Sequence, residues 1–388
     1  MRTFGKWLGR ILLMFILAAA VVGFVKREEL MRLMAVNSLF AEDKIVHNFS
    51  HMNGAFLSRE VARGDGPVIN LPSGPEAELP ARTSQWVEDR NVTALVVLKD
   101  GALVHESYHL GTQDTDQRIS WSVAKSYLSA LMGILVSEGH IESIDDPVTK
   151  YAPLLTGTAY DGATVKNVLQ MSSGVTFNED YLDYDSDINR MGRVVALGGT
   201  LDGFAASLNE TFAPPGKQFQ YVSIDTHVLG MVIRGATGRD VASLLSEKIV
   251  SKLGYEASPY YVTDGEGVAF VLGGLNIRTR DYAKFGQMFL QNGMANGEQI
   301  VPADWVAAST VPSANTGEGK LHYGYQWWMP KDPREGEFFG IGVYGQYIYI
   351  DRAAGVVIAV NSADRKFKDK GVNDDNIALF REIASGLR

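Results

Sequence analysis

Hydrophobic and polar positions predict β-strands near both ends of the chain. Residues 92–98 form an apolar, β-branched run, and a second extended run covers residues 102–109. The Asp100-Gly101 pair between them is typical of a tight β-hairpin. Extended patterns return only late in the chain, at residues 344–350 and 355–361. The two ends are therefore predicted to supply one antiparallel sheet.

The pattern in the middle of the chain predicts helices. Residues 122–138 are rich in Ala and Leu and end at Gly139, a residue type that commonly follows a helix. Because this segment is apolar on nearly all sides, we expect a buried central helix. Shorter helical patterns cover residues 165–171 and 241–253, and residues 374–387 close the chain as a helix. The predicted fold class is α+β: an antiparallel sheet formed by N- and C-terminal strands and flanked by helices, with an inserted, mostly helical lobe.

The N-terminus carries an anchoring or targeting pattern. Basic residues precede an uninterrupted apolar run at residues 11–25, which residues 7–9 extend towards the roughly 20 needed to span a bilayer. A cleaved signal peptide is the alternative, with the three alanines at 18–20 as its cleavage site, but the apolar run continues beyond them. We expect an uncleaved anchor in the cell membrane, with the main domain outside the cytoplasm, in the periplasm. Secretion after signal cleavage is the alternative.

Breaker residues suggest how the rest of the chain is divided. Residues 64–80 are rich in Gly and Pro, which is typical of irregular connections. We therefore expect a membrane anchor or signal segment at residues 1–30, a spacer at 31–84 and the main domain at 85–388.

Composition excludes several classes of function. The 388 residues carry 36 Lys and Arg against 45 Asp and Glu, and this net charge of −9 argues against nucleic acid as a partner. The chain has no cysteine, which excludes disulfides, thiolate nucleophiles, iron–sulfur clusters and cysteine-ligated zinc. No G-x-x-x-x-G-K-[ST] motif occurs, so nucleotide binding has no support. The oligomeric state stays open.

Residues 105–109, His-Glu-Ser-Tyr-His, match the H-E-x-x-H pattern of zinc peptidases. Two histidines four residues apart share one face of a helix, but this segment falls in the second arm of the predicted hairpin. In a strand such residues lie about 13 Å apart, too far for both His105 and His109 to bind one zinc at about 2 Å. We expect no metal site here.

An S-x-x-K pattern, Ser122 to Lys125, opens the predicted central helix. A serine at a helix start has its backbone N–H at the positive end of the helix dipole, where an oxyanion can be held. Lys125 returns to the same face one turn later, and desolvation should lower its pKa towards that of a usable base. The alternative is an N-cap serine followed by a lysine with a buried stem.

Two further motifs follow along the chain. After a Pro-Pro-Gly turn at residues 214–216, an extended stretch would bring Tyr221 and Ser223 to one side, where a phenol can relay a proton. The glycine-rich residues 340–346 indicate close approach of a ligand or another backbone to a strand. The alternatives are an aromatic core and a bulged sheet edge.

The order of these motifs resembles the serine β-lactamase and penicillin-binding-protein superfamily. Within it, the chain is similar to the class C β-lactamase branch and especially to its esterases and 6-aminohexanoate-dimer hydrolases. The resemblance runs from about residue 85 to the C-terminus. It also includes residues 120–126 (SWSVAKS), 169–175 (LQMSSGV) and 273–281 (GGLNIRTRD).

The resemblance implies a set of catalytic residues. Ser122 matches the acylated nucleophile and Lys125 its proton acceptor. Tyr221 matches the tyrosine of a Y-x-N element in which Ser223 stands where Asn is usual. The backbone N–H groups of Ser122 and Gln346 would form the oxyanion hole.

The resemblance also implies substrate-binding residues. The K-T-G element aligns with residues 343–345, which assigns Tyr344 to the substrate site. Tyr181 falls where the amide-hydrolase relatives carry a substrate-contacting tyrosine, and Ser223 would contact the substrate in place of the usual amide.

Two departures from the family pattern bear on the substrate. Val343 replaces the lysine that meets a substrate carboxylate in β-lactamases, and Ser223 replaces an amide donor. The implied function is a serine hydrolase that cleaves a small amide or ester through an acyl-enzyme on Ser122, without a metal or organic cofactor. The alternatives within the class are a D-alanyl-D-alanine peptidase and a β-lactamase. Outside it, they are a catalytically inactive cell-wall-binding module and a zinc peptidase.

Overall fold

The computed structural model describes residues 2–388, and it contains short strands from both ends of the chain and a helical middle. The strands are β1 (Ser58–Glu60), β2 (Val92–Lys99), β3 (Ala102–Tyr108), β4 (Arg118–Ile119), β5 (Tyr260–Val262), β6 (Leu275–Ile277), β7 (Met294–Ala295), β8 (Glu298–Gln299), β9 (His322–Tyr323), β10 (Trp328–Met329), β11 (Glu337–Gly342), β12 (Gln346–Asp351) and β13 (Val356–Ser362). The helices are α1 (Arg2–Val25), α2 (Arg27–Ser38), α3 (Ile45–Ser50), α4 (Met52–Ala55), α5 (Thr83–Asp89), α6 (Ala124–Ser137), α7 (Val148–Tyr151), α8 (Val165–Leu169), α9 (Asp187–Ala196), α10 (Leu201–Ala206), α11 (Ser223–Thr237), α12 (Val241–Leu245), α13 (Thr279–Leu290), α14 (Ala303–Ser309) and α15 (Val372–Gly386). Short 3-10 turns occur at Trp121–Val123 and Pro153–Leu155, and a π-helical turn follows α12 at Ser246–Val250.

Strands from opposite ends of the chain form one antiparallel sheet. Its order is β3-β2-β13-β12-β11-β10-β9, so the N-terminal hairpin pairs directly with the last strand of the chain. The β2–β3 hairpin turns at Asp100 and Gly101, whose φ angles of +50° and +84° are those that a type I′ turn requires. Helices α6 to α12 are inserted between this hairpin and the C-terminal strands. The predicted α+β arrangement is confirmed.

Alternate residues of the central strands face two separate cores. In β13, Val357 and Ala359 belong to the core that contains α6 and α13, whereas Ile358 and Val360 belong to the core beneath α15, with Phe380. Successive side chains of a strand point to opposite faces. Helices cover both faces, which explains why this strand is a continuous apolar run in the sequence.

The predicted central helix begins slightly later than expected. A 3-10 turn covers Trp121–Val123, α6 follows, and Gly139 after its end has φ +77°. All residues from Ala124 to Leu135 are buried, as the all-round apolar pattern predicts. Ser122 therefore lies in the turn that leads into the helix.

The first predicted C-terminal strand also begins later than expected. Strand β12 starts at Gln346, and Tyr344 instead lies in the turn after β11 with φ +62°. Gly345 follows with φ +84°, and a Cβ on it would lie 3.0 Å from Ser362 Cβ. The alternation of Tyr and Ile indicates a strand, but it does not reveal where the turn ends.

Helix α1 is exposed and apolar. Its segment from Lys6 to Val25 has a mean hydropathy of 2.5 over 20 residues, and none of it is buried. It is long enough to cross a membrane, and an N-terminal signal sequence would have the same properties.

The segment predicted as a spacer is folded onto the main domain in its first half. Leu39, Ile45 and Phe49 are buried in a third apolar cluster, together with Ile119 and Tyr344. The helices here are only 4 to 12 residues long, too short for their hydrophobic pattern to stand out from a loop. The Gly- and Pro-rich second half is irregular, as predicted.

Two smaller sheets lie outside the sequence prediction. One has the order β1-β5-β6-β4, and the other is the β7–β8 hairpin. Their strands have only two or three residues, too few to produce a recognisable alternation. The first sheet matters for the site because β4 leads directly into the turn that carries Ser122.

Candidate active site

A strained turn carries Ser122. The N–H of Ser120 donates to a carbonyl at the start of β6 at 2.7 Å, which fixes where the turn begins. Trp121 has φ +44°, a left-handed conformation that costs a non-glycine residue about 1–3 kcal/mol. Its indole packs against Phe40 and Phe49 at centroid distances of 5.7 and 5.5 Å. Aromatic packing from the N-terminal segment thus stabilises the turn that presents Ser122.

Two glycines allow strand β11 to approach this turn. A Cβ on Gly342 would lie 2.6 Å from the Ser120 carbonyl oxygen, and a Cβ on Gly340 would lie 3.2 Å from Ser126 Oγ. A side chain at position 342 would push the strand away from the turn. The glycine-rich motif therefore serves close backbone approach, as the sequence indicates.

Lys125 is buried in the first turn of α6. Its Nζ donates to the Leu272 carbonyl at 2.6 Å and to Ser223 Oγ at 3.2 Å. Burial lowers the pKa of Lys125 to about 7, and the negative charges of Glu179 and Asp225 partly oppose this shift. A substantial fraction of the amine is therefore neutral near pH 7, as a general base requires.

Glu179, a residue that the sequence motifs do not single out, joins this hydrogen-bonded group. Its carboxylate accepts a hydrogen bond from the Ser223 backbone N–H at 2.9 Å, and further ones from the hydroxyls of Ser223 and Tyr181. Ser223 thus connects Glu179 to Lys125. Glu179 and Ser223 are 44 residues apart, so no local pattern reveals their pairing. The structure brings the predicted residues Tyr181 and Ser223 to the same site.

Tyr221 lies beside Lys125. The Nζ atom of Lys125 is 5.4 Å from the centroid of the Tyr221 ring. Burial and the charge of Glu179 raise the pKa of Tyr221, while hydrogen bonding with the hydroxyls of Ser122 and Ser223 opposes the rise. Tyr221 is therefore a neutral phenol at physiological pH and can donate a proton. The predicted group of Ser122, Lys125 and Tyr221 is brought together.

Gln346 and Tyr344 do not lie where the resemblance assigns them. Gln346 is fully buried and faces Gly342 across the hairpin, and its side-chain amide donates to the Ser362 carbonyl at 2.8 Å. Tyr344 is stacked on Phe40 at 4.7 Å. Among the described residues, those that line the cavities beside Ser122 include neither of the two. The strand that passes the serine is β11, whereas the aligned residues 343–345 form the turn after it.

Val343, the residue that follows β11, lies at the cavities beside Ser122. Ser122 and Val343 line the same two cavities. Within residues 2–388, the backbone N–H groups of Ser122 and Val343 have no hydrogen-bond acceptor. Two unpaired N–H donors beside a nucleophile can hold an oxyanion.

The first cavity beside Ser122, which we call the open cleft, has a volume of about 500 Å³. Tyr221 lies in its wall. Charges of both signs line it, on Lys320, Lys331, Lys368, Asp369 and Asp374. Lys331 pairs with Asp374 at 2.9 Å. The open cleft can therefore accommodate polar and charged groups of a substrate.

The second cavity, which we call the apolar chamber, has a volume of about 120 Å³. Among residues 2–388, no charged side chain lines it. Its walls include Val36, Leu39, Phe40, Met52, Met191 and Val195. Ser122, Tyr181 and Val343 line both cavities, so the open cleft and the apolar chamber meet at the serine.

The first four residues of the H-E-x-x-H segment lie in strand β3, His109 follows its end, and the segment lines neither cavity. The Nε2 atoms of His105 and His109 lie 3.2 and 3.1 Å from Ser107 Oγ. Glu106 forms a bidentate pair with Arg280 at 2.7 and 2.9 Å. In the described part of the chain, no group of three or more metal-ligating side chains could hold a metal ion. These contacts give the segment a structural role.

Comparison with known proteins identifies relatives over most of the chain. A family model described as Beta-lactamase matches residues 84–382. The 6-aminohexanoate-dimer hydrolase of Paenarthrobacter ureafaciens is 32% identical over 323 residues, which cover 79% of this chain and 81% of that protein. The family-model match includes Ser122, Lys125, Tyr221 and Val343.

Solved structures show the same fold. A Bacillus anthracis structure, assigned provisionally as a 6-aminohexanoate-dimer hydrolase, has a TM-score of 0.79 and 26% sequence identity, and the match covers 90% of this chain and 96% of that one. A D-stereospecific amidohydrolase from Streptomyces sp. has a TM-score of 0.58 and 19% identity, covering 73% and 94%.

Proposed function

The chain belongs to the β-lactamase family of serine hydrolases, and we propose that it cleaves a small amide or ester through an acyl-enzyme on Ser122. The observation that carries the proposal is the convergence of a buried amine, a phenol and two unpaired backbone N–H groups at Ser122. Together these groups supply a base, an acid and oxyanion stabilisation for a nucleophilic hydroxyl.

Acylation begins with removal of the Ser122 proton. Lys125 is the acceptor, because burial gives its amine a pKa of about 7 and leaves it partly neutral. In the free enzyme its Nζ donates to Leu272 and Ser223. Proton transfer requires Nζ to turn towards Ser122 when substrate binds, and catalytic hydrogen bonds commonly tighten in this way. Ser122 Oγ then forms a bond to the substrate carbonyl carbon.

Tyr221 protonates the leaving group. Its raised pKa keeps the phenol protonated until the C–N or C–O bond breaks, when the departing nitrogen or oxygen takes its proton. The Lys125 ammonium then returns a proton to Tyr221. Because Tyr221 lines the open cleft, the leaving group departs through that cavity. Water attacks the acyl-enzyme by the reverse route, releases the acid and restores Ser122.

The backbone N–H groups of Ser122 and Val343 stabilise the oxyanion. Both are unpaired and both line the junction of the cavities. In other hydrolases, removal of one such donor lowers kcat about 10²- to 10³-fold. Val343 replaces Gln346 in this role because Gln346 lies outside the cavities.

Glu179 and Ser223 position the base, and Tyr181 contacts the substrate. Ser223 accepts a hydrogen bond from Lys125 and donates hydrogen bonds to Glu179. These bonds fix the positions of the three side chains relative to one another. Tyr181 donates to the same carboxylate and lines both cavities, which fits a contact with the substrate on either side of its carbonyl.

A small linear amide or ester fits this site better than a β-lactam. The Paenarthrobacter ureafaciens relative is named a 6-aminohexanoate-dimer hydrolase, which supports a linear amide. Strand β11 lines the open cleft with Ile341 and Gly342, followed by Val343, and none of these residues carries the cation that β-lactamases have on this strand. An unpaired carboxylate beside them would lose hydration without compensation. The nearby Lys331 is already paired with Asp374.

Helix α1 supports attachment to the cell membrane, with the catalytic domain in the periplasm. The apolar surface of α1 is exposed. Helix α2 follows α1 directly and is joined to the catalytic domain, because Arg32 Nε of α2 donates to the Ala196 carbonyl of α9 at 2.9 Å. Recovery of the full chain in membranes after carbonate washing would support an anchor. Recovery of a shortened chain in the soluble periplasmic fraction would instead support signal cleavage.

Ser122→Ala tests the proposed function. We expect kcat/KM for a p-nitrophenyl ester to fall by about 10³-fold or more, with loss of fluorophosphonate labelling and an unchanged melting temperature. Ser84→Ala, at an exposed serine outside both cavities, is the matched control. Activity of Ser122→Ala within tenfold of the unmodified chain would refute the assignment.

A further inference from the structure

We propose that the apolar chamber binds the acyl group of the substrate and selects uncharged chains of about four to six carbons. This inference rests on the proposed function, because it assumes that Ser122 becomes acylated. It adds the chemical class of the acyl group, which neither the catalytic groups nor the open cleft determines.

The position of Tyr221 decides which part of the substrate enters each cavity. A leaving group departs beside the acid that protonates it, and Tyr221 lines the open cleft but not the apolar chamber. Ser122 and Val343 line both cavities, so the reacting carbonyl lies at their junction. The acyl group extends from that carbonyl away from the leaving group and therefore enters the apolar chamber.

The walls of the chamber favour a chain without charge. Leu39, Met52 and Met191 are buried and contribute only apolar atoms. Asn189, a polar residue of the wall, already donates to the carbonyl of Tyr181 at 3.1 Å. A terminal ammonium or carboxylate would lose its hydration here, and no charged side chain of the described wall would compensate for that loss.

The volume of the chamber limits the length of the chain. A cavity of about 150 Å³ lined by Leu, Ile and Phe binds one benzene molecule, which has six carbons. At about 120 Å³, the apolar chamber is slightly smaller. A butanoyl or hexanoyl group would fill it, whereas a decanoyl group would not fit without rearrangement of the wall.

The chamber is also close in sequence to the apolar N-terminal helix. Val36 of its wall belongs to α2, which begins two residues after the end of α1. Twelve helical residues span about 18 Å. An α1 helix in a membrane would therefore hold the chamber near the bilayer surface, where esters and amides with apolar acyl chains concentrate.

A series of p-nitrophenyl esters tests the length limit on the full chain. We expect kcat/KM to rise about tenfold or more from acetate to hexanoate, because apolar contacts with each added methylene favour binding, and to fall again for decanoate. A flat profile, or a continued rise to decanoate, would overturn the proposal.

Substitutions in the wall test whether the chamber causes this preference. Gly192 lies in α9 and lines the chamber, and a Cβ there would meet no atom within 4 Å, so Gly192→Leu fills the space without a backbone clash. We expect the hexanoate-to-acetate ratio to fall about tenfold or more. Gly386→Leu, at an exposed helical glycine with equally free space, should leave the ratio unchanged. Met191→Ala enlarges the chamber and should raise the decanoate-to-hexanoate ratio of kcat/KM. Unchanged ratios in both Gly192→Leu and Met191→Ala would overturn the proposal.

A pair of anilides tests the exclusion of charge. Hexanoyl and 6-aminohexanoyl p-nitroanilides share a leaving group and differ only in a terminal amine. We expect the uncharged anilide to have a kcat/KM about tenfold or more above that of the charged one. Equal values with intact labelling of Ser122 would overturn the chamber proposal alone, whereas loss of Ser122 labelling would count against the proposed function.

Discussion

The open cleft and the apolar chamber share Ser122 but differ in size, polarity and origin. The cleft has about 500 Å³ and carries lysines and aspartates, whereas the chamber has about 120 Å³ and is apolar. Residues that line the cleft all lie within the segment 84–382 that the family model matches. Part of the chamber wall, from Val36 to Phe56, precedes that segment.

This difference indicates a division of labour along the chain. The family domain contains the residues proposed as nucleophile and base and the open cleft proposed for the leaving group. The N-terminal segment supplies apolar side chains that line the chamber, and it also packs on Trp121 through Phe40 and Phe49. Met191 and Gly192 line the chamber from α9, outside the N-terminal segment, so we expect substitutions there to change the selection of the acyl group rather than the chemistry of the reaction.

The largest expected effect is a loss of activity that depends on the leaving group of the substrate. Tyr221→Phe removes the acid of the open cleft, so kcat/KM for a p-nitroanilide should fall by about 10²-fold or more. A p-nitrophenyl ester with the same acyl group should lose much less, because p-nitrophenolate leaves without protonation. Steady-state kinetics on this matched pair measure the difference.

Lys125→Ala is the control for that comparison. It removes the base that activates Ser122, so the anilide and the ester should lose activity together. Equal losses for both substrates in Tyr221→Phe would contradict the assignment of Tyr221 as the acid for the leaving group.

The next expected effect concerns the class of substrate that the open cleft accepts. Because neither Ile341 and Gly342 of β11 nor Val343 after them offers a cation, a chromogenic cephalosporin should have a kcat/KM about tenfold or more below that of p-nitrophenyl butanoate. Steady-state assays on one enzyme preparation compare the two. A cephalosporin value at or above the ester value would show that the lysines of the cleft replace the missing cation.

Much of the fold follows from local patterns in the sequence. The turn of the first hairpin is determined by Asp100-Gly101, and the central helix by a long apolar run that ends before Gly139. These signals are local and strong. The short helices before residue 60 and the strands of two or three residues have no such signal, because they are stabilised by tertiary packing.

The residues of the site also differ in how far the sequence reveals them. Ser122, Lys125 and Tyr221 belong to motifs with characteristic spacing, so the sequence locates them. Glu179 reaches Ser223 through a contact across 44 residues, which no spacing predicts. The role proposed for Val343 rests on its backbone N–H, whose position depends on where the turn after β11 begins. The proposed mechanism therefore gives Val343 the oxyanion role that the sequence predicts for Gln346.

A smaller effect is expected in the pH dependence. The active form of Lys125 is the neutral amine, so kcat/KM should fall below its pKa of about 7 and reach a plateau above it. The charge of Glu179 raises the pKa of Lys125. Glu179→Gln should therefore move the inflection to lower pH, which a pH–rate profile would detect. An inflection that moves to higher pH would contradict this role of Glu179. The control is Glu76→Gln, at a carboxylate outside both cavities.

The smallest expected effect comes from the charge of the open cleft. Lys331 is exposed and already paired with Asp374, and exposed ion pairs are worth about 0–1 kcal/mol, which corresponds to a factor of about five at most. Lys331→Ala should lower kcat/KM by that factor for N-hexanoyl-6-aminohexanoate, whose leaving amine carries a carboxylate. The kcat/KM for the neutral N-hexanoyl butylamine should not change. Lys150→Ala, at a paired surface lysine outside the cleft, should affect neither substrate. The selectivity should disappear in high salt, because screening weakens exposed charges most. A loss shared by both amides would instead mean that Lys331 supports the shape of the cleft rather than its charge.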